Sequence, residues 1–368
     1  MKALEKVMTR RGRFALAVAS GLLVMACGGS DEATNAPPPS AASAAALHDA
    51  AMAAAAAQSS PKRKTPRGRA LRGITALDVA PDGSVAMAGA DGSVQVQTSA
   101  QTETGKERAA SASKMAGATG VAATAVAFSA DGKHLFGVGR DSVARVWDVA
   151  SRTRVISMHG HEHPIRSVAV SADGAYVASA GEETRVMVGN AATGKLAKIL
   201  NGHANFVNTV AFSSDGRMLA TGDAIGKVVI WNLANGAPRH QLAAHTDEVN
   251  SLSFSPDGRM LATAGEDSRV VLWSTDSGQK VQSLEGHQGA VRALAFSRDG
   301  EWLASGGEEA KVLVWDMSTR RLAKTLGTGT SAALNTLVFD AMKRKQILLA
   351  GDEDGRVSKW DVVAGVPR

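Results

Sequence analysis

The chain has 368 residues, 44% of them hydrophobic and 21% charged, which is enough apolar material for a sizeable core and too little charge for global disorder. A single cysteine, Cys27, excludes an internal disulfide framework and any multi-cysteine zinc or iron–sulfur site. The formal charge of +6 sits at one end: residues 1–26 carry +4 and residues 27–72 carry +3, leaving −1 for everything after Arg72. A near-neutral body removes the nucleic-acid-binding reading that a basic chain would otherwise invite.

The first 26 residues read as an address. A basic stretch ending at Arg13 precedes an apolar run over 14–26, too short to span a bilayer but suited to the central region of a signal peptide. Leu23-Val24-Met25-Ala26-Cys27 resembles the lipobox of bacterial lipoproteins. The resemblance implies that Cys27 is lipidated, becomes the first residue of the mature chain and sits in the membrane. Gly28, where some enteric lipoproteins carry an inner-membrane retention Asp, favours the outer membrane. An ordinary cleaved signal, an uncleaved anchor and a twin-arginine signal at Arg10-Arg11 are the competing readings. Residues 27–65 are rich in Ala, Ser and Pro and cannot bury enough apolar area to order themselves, so they read as a flexible tether. The basic cluster from Lys62 to Arg72 is a solvated linker end or a contact for anionic headgroups.

After Arg72 the chain repeats. Asp-Gly pairs begin at Asp82, Asp131, Asp173, Asp215, Asp257 and Asp299, with Asp340 at the seventh place, and the central steps are all 42 residues. Trp147, Gly189, Trp231, Trp273 and Trp315 keep the same step, and His161, His203, His245 and His287 each precede a member of that series by 28. Three markers in one phase predict seven copies of one all-β unit. In the fifth copy the strands fall at Val249–Phe254, 260–263, 270–273 and Lys280–Leu284, separated by Asp/Gly/Ser turns. Four short strands cannot bury both faces alone, so the sheets must stack on one another.

Gly202-His203, Gly286-His287, Trp147-Asp148, Trp315-Asp316 and Trp360-Asp361 in this frame resemble WD40 repeats. That resemblance implies a seven-bladed β-propeller over 66–368 and, within a blade, a buried hydrogen-bonded tetrad of His, Ser/Thr, Asp and Trp. It places complete tetrads at His245, Thr263, Asp267 and Trp273 and, with Glu for Asp, at His287, Ser305, Glu309 and Trp315. The fourth copy has His203, Thr221 and Trp231 but Ile225 at the acid position; the third has His161, Ser179 and Glu183 with Gly189 for Trp. The first, second and seventh lack the His, and the first has Gln97 for Trp. Because a fourth strand for the last copy is not evident before Arg368, residues 66–71 are expected to supply it and close the ring. The long first step predicts an insertion of about seven residues, a surface loop, within Thr98 to Gly120.

No reactive constellation emerges: there is no Gly-x-Ser-x-Gly elbow and no phosphate loop, so no catalytic residue and no cofactor are expected. His159, His161 and His163 would share one side of a strand as a metal site, but they fall in a loop and no metal is expected. Acidic residues recur in the turns between second and third strands. They make Glu182, Glu183, Glu266, Glu308, Asp352 and Glu353 a candidate interaction face, with mere solvation as the alternative. The reading is a non-enzymatic, monomeric protein-binding scaffold tethered in the bacterial envelope; the alternatives are an outer-membrane assembly accessory and a periplasmic propeller enzyme.

Overall fold

Each repeat turns sharply because of a side-chain clamp. In the second to sixth units a serine two residues before the marker aspartate donates its hydroxyl to that carboxylate at 2.5–2.6 Å. The same oxygen accepts the amide five residues on, at 2.9 Å. The glycine after the aspartate sits at φ of 68° to 75°, which a residue without Cβ adopts at no steric cost. The clamp fixes the first hairpin and therefore its register.

The structure is a computed structural model and describes residues 73–98, 113–117, 120–340, 346–364 and 366–367. Over them the chain forms seven four-stranded antiparallel sheets, each made of consecutive strands. We label the strands of a blade a to d from the axis outwards. The a strands of neighbouring sheets pack on one another all the way round, the first (Ile74–Val79) on the last (Leu334–Phe339) included. In the fifth blade the strands are Val249–Phe254, Met260–Gly265, Val270–Ser274 and Lys280–Leu284, with b and c running longer than their apolar cores indicate.

Sheets covered on both faces bury most of strands b and c. The buried side chains fall into seven clusters, one per interface between consecutive blades. Five interfaces receive a tryptophan from strand c of the following blade: Trp147, Trp231, Trp273, Trp315 and Trp360. The other two, where Gly189 and Gln97 stand in its place, have eight and five buried members against eleven to thirteen elsewhere.

Two expectations are corrected. The outermost strand of the seventh blade is Val366–Pro367, paired with strand c at Trp360↔Pro367 and Asp361↔Val366. A turn over 362–364, capped by Asp361 accepting the Ala364 amide at 3.1 Å, brings the chain back to pair with the last two residues of strand c; residues 66–71, expected to supply a strand there, lie outside the described residues. Among the described residues the first and last blades meet by packing of Ile74, Leu77 and Met87 against Leu349. Within the expected surface loop, Ser113–Lys114 form a short fourth strand of the first sheet, pairing with Gln95 and Val96. Cys27 and the segments expected to form a signal sequence, 1–26, and a tether, 27–65, lie outside the described residues.

Candidate functional site

The turns between strands b and c and the loops between blades share one face. At its centre lies a feature that the repeat pattern does not announce. Every a strand breaks register at its second residue, a β-bulge that leaves this residue opposite no partner. The bulged residues are Thr75, Thr124, Arg166, Asn208, Asn250, Arg292 and Asn335, all of them polar. Each reaches the next blade. Thr75 donates to the Ala123 carbonyl at 2.7 Å, Thr124 to Ile165 at 2.6 Å, and Arg166 to the Asn208 amide oxygen at 2.8 Å. Asn208 donates to Glu248 at 3.1 Å, Asn250 to the Val291 carbonyl at 3.1 Å and Arg292 to Asn335 at 3.3 Å. Asn335 returns the circuit to the Ile74 carbonyl at 2.9 Å. A polar second residue in every copy was the available signal.

Beneath the rim lie the buried tetrads. In the fifth blade His245 is 2.8 Å from Thr263 Oγ1 through Nε2 and 2.8 Å from Asp267 Oδ1 through Nδ1, and the Trp273 indole donates to Thr263 at 3.2 Å. The sixth repeats this with His287, Ser305, Glu309 and Trp315 at 2.8–2.9 Å. In the fourth blade the acid is not at position 225. Asp223, fully buried at the end of strand b, stands 2.8 Å from His203 Nδ1, and Trp231 and His203 meet Thr221 Oγ1 at 2.8 and 2.6 Å. Asp223 also accepts the amides of Ile225 and Lys227, so one carboxylate both closes the turn and completes the tetrad. In the third blade His161 lies 2.8 Å from Ser179 and 3.3 Å from Glu183, with no indole above.

Burial holds the His161, His245 and His287 imidazoles below their ordinary pKa, against the pull of their carboxylate partners. Burial alone would raise the Asp223, Asp267 and Glu309 carboxyls, but hydrogen bonds from the imidazoles and from neighbouring amides hold them below the carboxylate range. Neutral imidazole beside ionised carboxylate resembles a nucleophile-activating pair, yet Thr221, Thr263 and Ser305 are completely inaccessible, which leaves those hydroxyls as interior ties.

The six acidic candidates divide. Glu183 and Asp352 are buried, at 7% and 2% exposure, and do not belong to a surface. Glu183 accepts the Glu162 and His163 amides and the Arg185 guanidinium, while Asp352 accepts the Asp354 and Arg356 amides. Glu182, Glu266, Glu308 and Glu353 reach solvent, but two bulged arginines stand among them. Arg166 lies between Glu182 and Glu248 at 3.3 and 3.9 Å, and Arg292 between Glu308 and Glu353 at 3.0 and 4.0 Å. Asn250 donates to Glu266 at 3.0 Å. The face is therefore alternately charged rather than uniformly negative. Because Asp223 has taken the acid role, position 225 is released to carry an isoleucine that is 54% exposed. Beside it on the backbone, where the Ala224 amide meets its carbonyl, Phe206 is 44% exposed.

On the opposite face a cavity of about 370 Å³ opens at the end of the a strands, bordered by Asp78, Phe128, Phe296, Arg298 and Asp340. Asp78 stands where the other blades place Ala127, Ala169, Ala211, Ser253, Ala295 and Val338. Burial raises its pKa to about 6 even though the Phe128 and Val79 amides donate to it. Among the described residues no three His, Cys, Asp or Glu side chains are grouped to hold a metal ion, and the His161 ring nitrogens face Glu183 and Ser179.

Seven four-stranded sheets around an axis, three of them holding a complete imidazole–hydroxyl–carboxylate–indole tetrad, define a WD40-type propeller. The family model described as WD domain, G-beta repeat matches residues 113–148 and 152–188, and the model described as IFT122 first beta-propeller matches 180–366. The second covers half of the chain, and the chain belongs to the WD40 β-propeller family. No curated protein matches it. WD40 propellers typically mediate protein–protein interaction and are generally non-enzymatic scaffolds.

Proposed function

We propose that this protein is a non-enzymatic docking scaffold of the bacterial cell envelope. It is a single propeller held at the membrane, with the outer membrane favoured, by an acylated Cys27, and its tether sets the reach of the partner-binding face. The observation that carries the docking reading is the exposed pair Phe206 and Ile225 on a face of alternating charge. Large apolar side chains in the open are what a partner covers, and a polar, charged surround supplies orientation and selectivity. The tetrad hydroxyls of blades four to six cannot meet a substrate, which supports a binding role over a catalytic one.

A photo-crosslinking residue placed at Ile225 in growing cells should give one dominant adduct, and the same residue at Asp131 on the opposite face should not. Phe206→Ala should remove the adduct. Equal capture from both faces would overturn this reading. Membrane release of a Cys27→Ala variant tests the anchor separately, and the captured protein's identity separates a general scaffold from an accessory of outer-membrane protein assembly.

A further inference from the structure

The interface between the second and third blades keeps most of a tetrad and lacks its indole. His161, Ser179 and Glu183 hold the arrangement seen in the intact blades, but the strand c position is Gly189. In blades four, five and six the hydroxyl meets both the imidazole and an indole N–H, the latter at 2.8, 3.2 and 2.8 Å. Ser179, only 8% exposed, has the imidazole alone, so one lone pair of its oxygen still faces the space where the others receive a ring N–H.

That space is still shaped for a ring. Gly202 lies against Trp231, where an added Cβ would come within 2.8 Å of the indole; the matching Gly160 is retained, and its Cβ would come within 2.6 Å of the Met187 methyl. Met187 thus lies against Gly160 as its counterpart Leu313 lies against Gly286, but without the indole that shares that place in the sixth blade, and Met158 is close to Gly189. They leave a cavity of about 30 Å³ between them, bordered by His161, Ser179, Gly189 and Leu196. Leu196 is 51% exposed, so the slot opens at the outer rim. At about 30 Å³ the slot is too small for a ring as it stands, but unbranched thioethers repack at little cost, so withdrawal of the two tips enlarges it.

We propose that this slot binds a small planar aromatic carrying one ring N–H, of the indole class, which displaces the two methionine tips and donates to Ser179 Oγ. The site is independent of the docking face and does not rest on the function proposed above.

The probe is 5-fluoroindole, observed by fluorine NMR with the full chain. Its resonance should broaden and shift saturably. Gly189→Trp, which fills the slot from within, should abolish the effect. Ser179→Ala should weaken binding about fivefold, the worth of one hydrogen bond of about 1 kcal/mol. Benzofuran, the same shape without the N–H, should compete at least about fivefold less well than indole against the unmodified protein, a comparison that needs no variant to fold. No saturable binding, binding unchanged by Gly189→Trp, or equal competition by benzofuran and indole would each overturn the proposal.

Discussion

The interface between blades three and four and the one between blades two and three are built from the same strands, turns and spacing, yet they are sealed differently. In the first, Trp231 is 1% exposed, bonded to Thr221 and tilted against His203 with ring centroids 6.2 Å apart. In the second, two methionines occupy part of the same volume, the buried cluster is smaller, and two cavities of about 30 and 360 Å³ adjoin it. The backbone repeat is therefore enough to make a blade, and the indole decides how tightly neighbouring blades adhere. Propensity and turn chemistry set the unit, and packing sets the joint.

The largest way to break this contrast is Trp231→Ala. It empties a fully enclosed site and should cost about 3–5 kcal/mol, whereas Met187→Ala in the loose joint should cost clearly less; urea denaturation of both variants measures the gap. Next in size is Asp223→Ala, which strands the buried His203 Nδ1 and should cost about 1–3 kcal/mol. Adding Ile225→Asp should restore part of that loss, since the intact fifth and sixth blades carry their acid at the corresponding position. A double variant no more stable than the single one would show that the end of strand b is the only workable place for the acid in this blade. Gly189→Trp should stabilise by about 0.5–2 kcal/mol as a cavity-filling change, raising the melting temperature and making the second joint resemble the first.

The smallest effect is in pH. His161, His245 and His287 stay neutral in the fold because burial lowers their pKa, so below about 6.5 the unfolded chain takes up protons that the folded chain does not, and stability falls on acidification. Asp78 works the other way. With its pKa raised from 3.8 to about 6, the folded chain binds the extra proton between those values, so stability from this group is lost as pH rises through them. Asp78→Asn should therefore steepen the loss of melting temperature between pH 6 and 4. A slope identical to that of the parent would remove Asp78 from the balance.

Blade number and phase were legible in the sequence because the Ser-x-Asp-Gly clamp is local, with every partner within five residues. The expectation that Ile225 replaced the tetrad acid failed for a physical reason. A carboxylate at 223 and one at 225 approach the same imidazole from two sides of one tight turn, and a linear frame cannot separate them. Val366–Pro367 and Ser113–Lys114 are two-residue strands with no alternation to read; they exist because a neighbouring edge recruits them. The bulged residues were visible as a polar second position in each a strand, but their reach into the next blade depends on register, which only the assembled sheet reveals.

The circuit of bulged side chains acts as a hoop. A load on any one blade is shared with both neighbours through ties of similar length, and the contact between the first and last blades is fastened by the same kind of tie as the others. A blade of this protein therefore cannot tilt by itself: docking that pries one rim upward strains the whole ring, and rigidity at the centre is what lets the loops outside it vary.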